Sequence, residues 1–73
     1  MFYILKWRPR GISEPIIFPG RFDSVTQAIL EGCEILAKGH DDVWIEDQAG
    51  VKVVDAAQIA EYCPPPAHGT GRL

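Results

Sequence analysis

The sequence predicts an α+β domain: a four-stranded antiparallel sheet of β-β-α-β-β order, one main helix on one face and a short C-terminal helix. Three observations predict it. Two pairs of short stretches rich in β-branched and aromatic residues are each joined through a turn. Between the pairs runs one stretch of helical periodicity, bounded by cap residues. Finally, 73 residues that are 47% hydrophobic and 23% charged suffice for one small core and do not suit a disordered chain.

Residues 2–8 (Phe-Tyr-Ile-Leu-Lys-Trp-Arg) read as the first strand, ended by Pro9. One face carries Tyr3, Leu5 and Trp7; the other carries Phe2, Ile4, Lys6 and Arg8. Both begin apolar, as in a central strand. Pro9, Gly11 and Ser13 make a turn, and Pro15 to Phe18 returns as the second strand. Pro15 and Pro19 lack backbone donors, which puts that strand at an edge.

Pro19-Gly20 breaks the chain before the strongest signal. Ser24 with Gln27 three residues on is a capping-box pattern, and Val25, Ala28, Ile29, Gly32, Cys33 and Leu36 recur at helical spacing. Gln27, Glu31, Glu34 and Lys38 lie opposite, with Glu34 and Lys38 placed as an i,i+4 pair. Gly39 suits a left-handed cap, so the helix is expected over residues 24–38, with Ile29 and Leu36 as its anchors. From Asp42 to Asp47, Val43 and Ile45 alternate with Trp44 and Glu46. Asp47 to Gly50 forms the turn, and Val51 to Val54 the fourth strand. Asp55 and Gln58 repeat the cap over a short helix, 56–62, stopped by Pro64-Pro65-Pro66. The expected division is a domain over 1–63 and a Pro-rich spacer and tail over 64–73. Placing the first strand centrally gives the order 2-1-3-4, with one sheet face left without a helix.

The net charge of −3 conceals an asymmetry: residues 1–21 carry four cations against Glu14, and residues 22–63 carry nine acids against Lys38 and Lys52. No apolar run approaches the ~20 residues of a membrane helix, and Lys6, Trp7, Arg8 and Pro9 follow Leu5 where a leader would stay apolar. The expectation is a cytoplasmic protein. Its two cysteines, Cys33 and Cys63, lie 30 residues apart without a Cys-x-x-Cys spacing, so no disulfide framework is expected; a single bridge is open to them but is disfavoured in a reducing compartment. Cys33 reads as a small core hydrophobe and Cys63 as an incidental thiol.

No catalytic set emerges. His40-Asp41-Asp42 places one imidazole and two carboxylates side by side, a spacing that rarely converges on a metal, and His68 stands in the tail. Gly69-Thr70-Gly71 precedes no helix and makes no phosphate loop. No enzyme and no cofactor are therefore expected. Tyr3, Lys6, Trp7, Arg8 and Arg10 mix aromatics and cations as single-strand nucleic-acid modules do, although a pI near 5.1 opposes that use. With Trp44, and with Leu30 interrupting the polar side of the main helix, these residues form the candidate binding surface. The open face is expected to carry either Phe2, Ile4 and one hairpin face or Tyr3, Trp7 and Trp44. The expected partner is another protein or a second copy of the chain.

The aromatic first strand, Phe22-Asp23-Ser24 opening the helix, Val43-Trp44-Ile45 and the Asp-x-x-Gly-Val turn at 47–51 resemble small uncharacterised bacterial domains of β-β-α-β-β layout, over most of residues 2–54. The resemblance implies no activity. The expected function is a non-enzymatic binding or interaction module, with a nucleic-acid-binding accessory protein as the alternative.

Overall fold

A computed structural model describes residues 1–63; the spacer and tail expected over 64–73 lie outside the described residues. The elements are β1 (Tyr3–Trp7), β2 (Ile16–Ile17), α1 (Val25–Ala37), β3 (Val43–Asp47), β4 (Lys52–Val54) and α2 (Ala56–Tyr62). They form a four-stranded sheet in the order β2-β1-β3-β4, all neighbours antiparallel. The expected architecture and strand order are both found. β1 lies between β2 and β3 because its hydrogen-bonding groups are needed on both sides, whereas Pro15 and Pro19 confine β2 to two residues at the edge.

Local chemistry explains the boundaries. Ser24 Oγ accepts from the Gln27 amide at the start of α1, and Gly39, at φ +100°, follows its C-cap Lys38. In α2 the capping box is closed both ways: Asp55 Oδ1 accepts from the Gln58 amide and Gln58 Oε1 from the Asp55 amide. Between β3 and β4, Asp47 Oδ1 accepts from the amides of Ala49 and Val51, and Gly50 takes φ +86°. β3 pairs Ile45 with Val54 and Glu46 with Lys52, so Val53 is an extra, bulged residue on the other edge.

One face of the sheet holds the core. Leu5, Val43 and Ile45 are buried against Ala28, Ile29 and Ile35 of α1 and Ile59 of α2, with Tyr3, Trp7, Phe18 and Phe22 packed around them. Ile29 is an anchor, as expected. Leu36 is only partly buried, and the second deep anchor is Ile35. The buried stripe of α1 centres on Gly32 rather than on Val25, which rotates Ile35 inward and Leu36 to the margin. Glu34 and Lys38 do not close into an ion pair among the described residues, where the salt bridges instead join β1 and its following turn to β3 and the loop before it.

The cysteines require a correction. Cys33 and Cys63 are bonded to each other, with Cα atoms 5.5 Å apart, and neither is free. The expectation of unbonded thiols rested on their 30-residue separation and on a reducing compartment. It took no account of α2 folding back along α1. That packing is close: Ile59 is fully buried, and a Cβ at Gly32 would stand 3.2 Å from its Cγ2. Burying Ile59 is worth about 1.5–3 kcal/mol. Ordering the backbone of a seven-residue helix costs about 1–2 kcal/mol per residue, offset only in part by its own hydrogen bonds. The bridge secures the end of α2 that its capping box does not.

Candidate functional site

The strongest concentration of polar and aromatic chemistry lies on the sheet face opposite the helices, centred on Trp44. Strand alternation turns Val43 and Ile45 into the core and so sends Trp44 and Glu46 to the other side. The register sets Trp44 beside Lys6 and Glu46 beside both Ile4 and Lys52; Ile17 extends the Lys6–Trp44 row onto β2. Trp44 is nonetheless only 6% exposed, although it belongs to no buried cluster. Cations cover it: the Arg8 guanidinium lies 5.3 Å from the ring centroid and the Lys52 ammonium 5.1 Å.

Carboxylates fix this cage. Trp44 Nε1 donates to Glu46 Oε2 at 2.8 Å, and Lys6 Nζ lies 3.0 Å from Glu46 Oε1. Arg8 Nη1 donates to Asp42 Oδ2 and Arg10 Nη2 to Asp41 Oδ2, both at 3.1 Å. Partial burial by itself raises the Glu46 pKa. The hydrogen bonds from Trp44 and Lys6 and the charges of Lys6 and Lys52 outweigh it and hold the carboxyl below its ordinary range. Along the strand the pairs become more exposed, from Lys6–Glu46 to Arg8–Asp42 to the almost fully solvated Arg10–Asp41.

The seven residues singled out in the sequence therefore do not share one surface. Lys6, Arg8 and Trp44 meet on the helix-free face, with Arg10 in the turn beyond them. Tyr3 and Trp7 have the opposite parity on β1 and pack against the core, where the Trp7 ring lies 6.3 Å from that of His40. Leu30 is exposed on the far side of α1, away from the sheet. Residues not singled out complete the cage: Glu46, Lys52 and Asp42. The alternation of Trp44 with Glu46 was visible in the sequence, but the approach of Lys52 depends on the β3–β4 register. Among the described residues no three His, Cys, Asp or Glu side chains converge as a metal site would require, and no helix is long and apolar enough to cross a membrane.

Comparison with protein-family models, with curated proteins and with solved structures gives no match.

Proposed function

We propose that this chain is a small, non-catalytic interaction module that contacts a protein partner through the helix-free face of its sheet. One observation carries the reading: the three cations of β1 and its turn, Lys6, Arg8 and Arg10, are each matched to an acid of the same chain. Phosphate recognition would have to break those pairs, and base stacking would have to displace Arg8 and Lys52 from the Trp44 ring. What remains is a surface on which Lys6, Arg8 and Arg10 are paired within the chain. The exposed Arg8, seated over the buried Trp44, and the exposed Ile17 beside it are residue types that suit a protein contact. The Cys33–Cys63 bond fits an oxidising compartment better than the cytoplasm expected from the sequence.

A photo-crosslinking residue placed at Ile17 and, separately, at the exposed Gln27 of α1 tests this in the producing cell. Discrete protein adducts from Ile17 and none from Gln27 support the sheet face. Adducts confined to Gln27 overturn it. A labelled single-stranded oligonucleotide is the second arm. Micromolar binding that weakens steeply with salt would replace this reading with the nucleic-acid one.

A further inference from the structure

We propose that the Cys33–Cys63 bond is a redox-controlled latch, whose reduction releases α2 while the sheet and α1 remain folded. Three features converge on this. First, the bond joins the C-terminal end of α2 to the middle of α1, so its two ends lie on different elements rather than within the sheet. Second, α2 has little else to hold it. It is seven residues long, below the length at which an isolated helix persists, and Ile59 is its one deeply buried side chain. Ala57, Gln58, Ala60, Glu61 and Tyr62 are all exposed. Third, both cysteines are only partly buried, so a small thiol can approach the bond.

The rest of the domain does not depend on the latch. Leu5, Val43, Ile45, Ala28, Ile29 and Ile35 join the sheet to α1 and make up the cluster apart from Ile59, and β1 is hydrogen-bonded on both sides. Release of α2 withdraws Ile59 from Gly32 and Leu5 and opens an apolar groove along α1.

The chemistry is thiol–disulfide exchange with a dithiol reductant. One reductant thiolate attacks a sulfur of the bridge, forming a mixed disulfide and expelling the other cysteine as a thiolate, which takes up a proton. The second reductant thiol then displaces the first cysteine. Two electrons and two protons pass to the protein, which ends with two thiols, and the reductant ends as its own disulfide.

Hydrogen exchange on the full chain, oxidised and after titration with dithiothreitol, tests the latch. In the reduced protein the Ile59 and Ala60 amides should lose at least about tenfold of their protection, while those of Leu5 and Ile45 keep theirs. The Cys33→Ser, Cys63→Ser double variant should reproduce the reduced pattern without reductant. Unchanged protection of α2 would show that packing alone holds it and would overturn the proposal. Equal loss across β1 and β3 would make the bond a staple for the whole domain, and a bridge that dithiothreitol opens only in denaturant would make it inert; either result also overturns it.

Discussion

Gly32→Ala is the sharpest probe of how α1 and α2 meet. In a solvent-exposed helix the change would stabilise the chain by about 0.5–1 kcal/mol, because alanine gives up less backbone freedom on folding. Here the new methyl would stand 3.2 Å from Ile59 Cγ2 and 3.3 Å from Ile59 Cδ1. Ile59 is fully buried and β-branched, so it cannot swing aside without leaving its rotamer. Overpacking of this kind costs about 1–3 kcal/mol, which exceeds the helical gain. A net loss of about 1 kcal/mol lowers the Tm of so small a domain by about 4–8 °C. The assay is thermal unfolding of the oxidised protein, by circular dichroism, in a double-mutant cycle with Ile59→Ala. Once Ile59 is truncated both contacting carbons are gone, and Gly32→Ala should then raise the Tm. A higher Tm for Gly32→Ala with Ile59 intact would refute the close approach of the two helices.

Chemical denaturation should separate the face of α1: Ile35→Ala should cost about 2–5 kcal/mol, Leu36→Ala clearly less, and Glu34→Ala under about 0.5 kcal/mol. Asp55→Ala removes one arm of the α2 capping box and should cost about 1 kcal/mol, visible as faster exchange of the α2 amides. Glu46→Ala leaves the partly buried Trp44 indole without its acceptor and should cost about 1–3 kcal/mol, with a change in Trp44 fluorescence. Because the folded-state pKa of Glu46 is depressed, the stability it contributes is complete above the ordinary glutamate range. It is lost as pH falls through the lower, folded value. The stability gap between wild type and Glu46→Gln should therefore be widest near neutrality and narrow in acid, and a gap that widens in acid would reverse the assignment.

Most of the architecture was legible because it is written in short-range chemistry. The Val43/Trp44/Ile45/Glu46 alternation set the faces of β3, Ser24 and Asp55 marked both helix starts, and Pro15 and Pro19 marked the edge strand. Ile35 was within reach too, three residues after Gly32 and seven after Ala28, but a stripe anchored on Val25 passes it by. What could not be read depends on register and on distant packing. The parity of β1 separates Tyr3 and Trp7 from Lys6, but only the Lys6–Trp44 register decides which pair shares a face with Trp44. The disulfide is the clearest such case. Thirty residues of separation say nothing until α2 lies along α1 and brings the two Cα atoms to 5.5 Å.

On the proposed reading, the edges of the sheet narrow where a partner would bind. An exposed edge is the usual place for strand addition, since its unpaired amides and carbonyls form a ready template. Here β2 is two residues long and sits between prolines, which offer no donors. At the other edge the bulged Val53 interrupts the regular ladder of the three-residue β4. The core face is already covered by α1 and α2. A partner approaching the sheet therefore meets its helix-free face, where Trp44 holds its place through bonds made within the chain. Because Lys6, Arg8 and Glu46 are already paired, such a surface loses little side-chain freedom when it is covered, and that preorganisation favours a specific contact over a merely electrostatic one.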